Sequence, residues 1–127
     1  MATKIIILED EKILGKLYKK ALEESDFEVR WEQNIADFEM SSINFKPDIA
    51  LLDQSLNGEA KTGIDEISFL KSMLPNCKIC MLSNYSDFHL REKVLKAGAD
   101  DYLVKIDHPP HILIRYIQDN LLDKMNG

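Results

Sequence analysis

Four apolar runs in this chain end in residues that can handle charge and bind oxygen-seeking ions. Glu9-Asp10-Glu11 follow the first, Asp53 closes the second, Ser83-Asn84 close the third and Lys105 the fourth. Carboxylates gathered at one place repel by roughly 4 kcal/mol per pair at about 4 Å and an effective dielectric of about 20, so they call for a cation. Lys105 supplies one positive charge. A hard divalent ion supplies more, and Mg²⁺ suits one or two carboxylates together with waters and a phosphoryl oxygen. A carboxylate beside such an ion can accept a phosphoryl group, because charge on the incoming oxygens is neutralised. Ser83 and Lys105 would then contact the remaining phosphoryl oxygens. Taken one at a time, these residues have ordinary explanations: Asp10 could cap a helix, Asp53 could start a turn, and Ser83 and Lys105 could be solvated loop residues. Their joint placement at strand ends is what argues for a site.

The elements that must position them can be read from hydrophobic period. Apolar runs at Lys4 to Leu8, Asp48 to Leu52, Cys77 to Leu82 and Tyr102 to Val104, with a weaker one at Phe27 to Trp31, predict short strands. Helical spacing predicts helices between them, at about Glu11 to Glu24, Asn34 to Ser42, Gly63 to Leu74, Ser86 to Ala97 and Pro109 to Lys124. In the first helix Ile13, Leu14, Leu17, Tyr18, Ala21 and Leu22 predict one buried stripe. Ser86 is the expected cap of the fourth helix, Gly98 its left-handed terminator, and Pro109 or Pro110 the first turn of the last. In that last helix a step of about 100° per residue puts Ile112, Leu113, Tyr116 and Ile117 on the core face, with Ile114 and Leu121 on its flank. Strand-then-helix repeats with nearly uniform apolar strands imply a doubly wound α/β fold, a parallel sheet with helices on both faces. In such a sheet ligands bind beyond the carboxyl ends of the strands, where the polar residues lie.

The composition narrows the function further. A chain of 127 residues is the length of one domain, with an expected core from about residue 4 to 122. A net charge of −6 with only three arginines argues against direct binding of nucleic acid. No run approaches bilayer length, and the short apolar stretch after Lys4 lacks the features of a secretory signal, so a cytoplasmic location with no membrane partner is expected. Cys77 and Cys80 form a C-x-x-C, but a spacing of three on a strand sends them to opposite faces, and no second Cys or His pair completes a zinc site.

With these motifs in view, the chain resembles the receiver domain of two-component response regulators, the superfamily of the chemotaxis response regulator. The matching stretches are Ile5 to Glu11, Pro47 to Asp53, Met81-Leu82-Ser83 and Ala97 to Lys105, and the resemblance runs from Lys4 to about Leu122. It implies five strands in the flavodoxin-like order 2-1-3-4-5. It also implies that Asp53 takes a phosphoryl group from a phosphohistidine, donated by a sensor histidine kinase or a histidine phosphotransfer protein. Mg²⁺ would be held by Asp10, Asp53 and the backbone carbonyl of Ser55, with Glu9 acting through a water. Ser83 would bond the phosphoryl group, Lys105 would pair with it, and Tyr102 would be the aromatic switch that follows Ser83. Such a chain is a signalling switch that promotes its own phosphorylation and dephosphorylation, and is not classed as an enzyme. A homodimer or an output protein would meet it through the last two helices and the fifth strand.

Three stretches depart from the family pattern. Lys105 is followed by Ile106-Asp107-His108 where Pro usually follows directly, the loop after Asp53 is longer than usual, and Asn84-Tyr85 could narrow access to the acceptor. Rival readings keep the fold and change the chemistry. A degenerate receiver working unphosphorylated as an interaction module is disfavoured by the intact set Asp10, Asp53, Ser83 and Lys105. An Asp-nucleophile phosphatase of the haloacid dehalogenase kind wants a second Asp where Ser55 stands. A flavin binder wants a Ser/Thr/Gly phosphate loop where Glu9-Asp10-Glu11 would repel phosphate.

Overall fold

In a computed structural model, which describes residues 2–54 and 63–122, all five strands pair in parallel, in the order β2-β1-β3-β4-β5. The strands are β1 Lys4–Leu8, β2 Glu28–Glu32, β3 Ile49–Asp53, β4 Lys78–Ser83 and β5 Asp101–Val104. The helices are α1 Lys12–Glu24, α2 Ile35–Phe45, α3 Asp65–Met73, α4 Phe88–Ala97 and α5 Pro110–Tyr116. The three inner strands are buried on both sides, which is why they read as continuous apolar runs.

Alternation along the strands builds two cores. Ile6, Leu8, Ala50, Leu52, Ile79 and Met81 face one way, onto Phe38, Ile67, Leu70 and Val94 of α2, α3 and α4. Ile5, Ile7, Ile49, Leu51, Cys80 and Leu82 face the other, onto Tyr18 and Leu22 of α1, Leu113 of α5 and Ile117 just after it. Each fully buried aliphatic or aromatic side chain contributes about 1.5–3 kcal/mol of hydrophobic stabilisation before entropy is subtracted. Cys77 belongs to the first core and Cys80 to the second, so the strand keeps the two sulfurs apart, and both thiols are free. Burial pushes Cys77 up to about 12 and Cys80 higher still, which leaves neither as a reactive thiolate. Among the described residues no helix is long and apolar enough to cross a membrane.

Local chemistry corrects several expectations. Asp87 and not Ser86 caps α4: its carboxylate accepts from the Leu90 N–H at 3.1 Å, a reach that the residue before it does not have. Gly98 ends that helix with φ of 115°, as its position suggested. In α1 the row turned to the sheet is Gly15, Tyr18 and Leu22, while Ile13 and Leu17 are 72% and 51% exposed. The helix is rotated about its axis relative to the predicted stripe, and the Trp31 indole lies against Gly15 on the buried face. The last helix begins at Pro110 and widens into a π-helical stretch over Ile117–Leu122. That widening carries Leu121 into line with Leu113 and Ile117, so it is fully buried and not on the flank, while Ile112 is only half-buried.

Candidate phosphoacceptor site

The carboxyl ends of β1, β3, β4 and β5 bring Glu9, Asp10, Asp53, Ser83 and Lys105 to one edge of the sheet. Glu9, Asp53 and Ser83 are buried, and Asp10 is half-buried. One carboxylate oxygen from each of Glu9, Asp10 and Asp53 lies within 4.8 Å of the others, a grouping able to hold a metal ion. The Lys105 ammonium sits among them, 2.8 Å from Glu9 Oε1 and 3.2 Å from Asp53 Oδ1. Burial and the charge of Glu9 push Asp53 up to about 7, against the opposing pull of Lys105. Burial alone would lower Lys105, but its hydrogen bond to Glu9 and the charges of Asp53 and Glu9 outweigh that and raise it.

Ser83 opens a second chain of contacts. Its Oγ accepts from the Tyr85 N–H at 3.2 Å, and the Tyr85 carbonyl accepts from the Tyr102 hydroxyl at 2.5 Å. Tyr102 is 4% exposed, its ring turned inward. A cavity of about 100 Å³ lined by Asp53, Gln54, Ser83, Asn84, Tyr85 and Leu90 opens beside Asp53. Tyr85 stands 73% exposed at its rim, so the Asn84-Tyr85 pair leaves an opening. Ser55 lies outside the described residues.

Lys105 is fixed without a proline. Lys105–Asp107 form one 3₁₀ turn, closed by the His108 N–H on the Lys105 carbonyl at 3.0 Å. The His108 ring Nδ1 lies 2.9 Å from the Val104 carbonyl, and the Tyr18 hydroxyl donates to the His108 carbonyl at 3.3 Å. No cis peptide bond occurs among the described residues. Burial pushes the Tyr18 phenol up to about 12, so it stays a donor. Tyr18 and Trp31, whose indole N–H donates to the Glu9 carbonyl at 2.9 Å, support the site from outside it, and sequence reasoning missed them as site residues. Tyr18 reads as an ordinary stripe residue and Trp31 as a strand residue; the lone tryptophan in a polar stretch was the one signal available.

Residues 5–117 match the family model of the response regulator receiver domain. The chain belongs to that family. Receiver domains of response regulators are signalling switches of two-component systems, phosphorylated by histidine kinases. This receiver domain is 33% identical over 101 residues to the transcriptional regulatory protein PrrA of Mycobacterium bovis, covering 80% of this chain and 42% of that protein. It thus spans less than half the length of that relative. A crystal structure of a CheY-like receiver domain protein from Methanospirillum hungatei superposes with a TM-score of 0.86 at 25% identity, covering all of both chains. The BeF3-activated N-terminal receiver domain of Klebsiella pneumoniae RstA superposes with a TM-score of 0.83 at 28% identity, covering 94% of this chain and 98% of that one.

Proposed function

We propose that this receiver domain accepts a phosphoryl group on Asp53 from the phosphohistidine of a sensor histidine kinase or a histidine phosphotransfer protein, in the cytoplasm. The observation that carries the reading is the Lys105 ammonium held 3.2 Å from an otherwise acid-crowded Asp53 at the carboxyl edge of the sheet. In the transfer an Asp53 carboxylate oxygen attacks phosphorus as the phosphorus–nitrogen bond breaks, and the imidazole leaves with the bonding electron pair. The product is an acyl phosphate. Asp53 must be ionised to attack, and Lys105 opposes the burial that keeps its proton on. Ser83 Oγ and Lys105 Nζ are the groups for the phosphoryl oxygens.

The donor set fits Mg²⁺: three clustered carboxylates face one ammonium, an all-oxygen grouping with an excess of negative charge. Asp10 and Asp53, with the backbone carbonyl of Ser55, would hold the ion, and Glu9 would reach it through a water. When bound, it supplies positive charge against the phosphoryl oxygens. The Ser83–Tyr85–Tyr102 connection supports a switch in which movement of Ser83 is felt by Tyr102. The output surface on this reading is α4, β5 and α5, meeting a second copy or a partner protein. Intact mass spectrometry after treatment with acetyl phosphate and Mg²⁺ tests the acceptor. One phosphoryl adduct is expected on the parent and none on Asp53→Ala, and an adduct that persists in the variant refutes the assignment.

A further inference from the structure

Glu9 is held by β2 at both of its backbone groups. Its N–H donates to the Glu32 carbonyl at 3.1 Å, and its carbonyl accepts from the Trp31 indole N–H at 2.9 Å. The second bond is made by a side chain, and the molecule accommodates that side chain at a cost. Gly15 stands in the interior of α1, where glycine is less favourable than alanine by roughly 0.5–1 kcal/mol. A Cβ at that position would fall 2.1 to 2.4 Å from indole Cε2, Cζ2 and Nε1, the edge of the ring that carries the donor. Glycine there lets α1 close over the ring while the N–H points at Glu9. The other end of the residue is equally constrained: Glu9 Oε2 accepts from the Glu11 N–H at 3.1 Å, and Oε1 takes Lys105 at 2.8 Å. Trp31 fixes the backbone from which that carboxylate is aimed.

We propose that Trp31 is a positioning residue for the acidic site, setting the backbone of Glu9 so that its carboxylate serves the divalent ion, and that Gly15 is present to admit the indole. The inference rests on the Mg²⁺ reading above. Because Trp31 is the chain's one tryptophan, its indole N–H also reports on the site. The removal of one neutral hydrogen bond behind a group that meets the ion through water is expected to weaken Mg²⁺ about three- to tenfold.

The test is calorimetric titration of Mg²⁺ into the parent, Trp31→Phe, Asp10→Ala, and a protein carrying benzothienylalanine at position 31, which keeps the ring's shape without the donor. The parent should bind, and its indole N–H resonance should shift with the same midpoint. Trp31→Phe and the benzothienyl protein should both bind about three- to tenfold more weakly while giving folded spectra. If Trp31→Phe unfolds, the benzothienyl protein decides. Parental affinity in a folded benzothienyl protein, or an indole resonance indifferent to Mg²⁺, overturns the positioning role. If the parent itself fails to bind, or Asp10→Ala binds as well as the parent does, the metal reading fails instead.

Discussion

Replacing Asp53 with Asn should make the metal-free protein more stable at mildly alkaline pH. Asp53 is 4% exposed, with Glu9 and Asp10 close by and one ammonium between them. Burial first, and then the charge of Glu9, lifts its carboxyl from 3.8 to about 7. A folded-state value above the unfolded one means that the native protein holds a proton the unfolded chain has released. The associated stability is complete below about pH 4 and is lost as pH rises through 7. About three units at 1.36 kcal/mol each give a ceiling of about 4 kcal/mol. Asparagine resembles the protonated acid and avoids this loss, and the opposing pull of Lys105 is already contained in the value of about 7. The gain expected near pH 8 is therefore up to about 4 kcal/mol, shrinking toward zero near pH 4. Urea unfolding of parent and variant in EDTA across that range measures the difference, since titrations remote from the site cancel. A variant less stable than the parent near pH 8, or a difference that does not change with pH, would refute the reasoning.

Other outcomes are accessible with simple measurements. Mg²⁺ at about 100 times its dissociation constant should stabilise the parent by about 2.7 kcal/mol in thermal melts, and Asp10→Ala should lose most of that gain. Tyr18→Phe removes the bond to the His108 carbonyl and should cost about 1 kcal/mol, with faster exchange of the His108 amide than in the parent. Gly98→Ala forces a Cβ into a backbone at φ of 115° and within 2.9 Å of the Lys71 side chain, so chemical denaturation should show a loss of about 1–2 kcal/mol. Sedimentation with and without beryllofluoride should show self-association through α4, β5 and α5; an unchanged monomer with an unperturbed α5 in amide exchange speaks against that surface.

The inner strands were legible because a strand buried on both faces needs no alternation, and Ile5 to Leu8 or Ile49 to Leu52 can hardly be anything else. Their ends were legible for the same reason: where the apolar run stops, Glu9, Asp53, Ser83 and Lys105 follow at once. What sequence could not reveal depended on pairings at long range. The stripe of α1 was misjudged at Ile13 and Leu17 because the buried face includes Gly15, which packs against Trp31 of another element and carries no apolar side chain to mark it. The support of the turn after Lys105 comes from Tyr18, 90 residues before the carbonyl it binds. Leu121 entered the core through a local widening of the helix that an even angular step does not anticipate. The choice of Asp87 over Ser86 turned on one residue between two good caps.

The ion pair between Glu9 and Lys105 joins residues 96 positions apart, from the first strand of the sheet to the last. Closing a loop of that length costs more entropy than making a local contact, so the pair depends on the rest of the sheet holding its ends together. The carboxylates lie at the ends of β1 and β3, whereas the ammonium belongs to the residue that follows β5. The pairing of β5 therefore both completes the sheet and places the countercharge among the carboxylates. The edge of the sheet that gathers the acids is thus balanced in charge only when its last strand is paired.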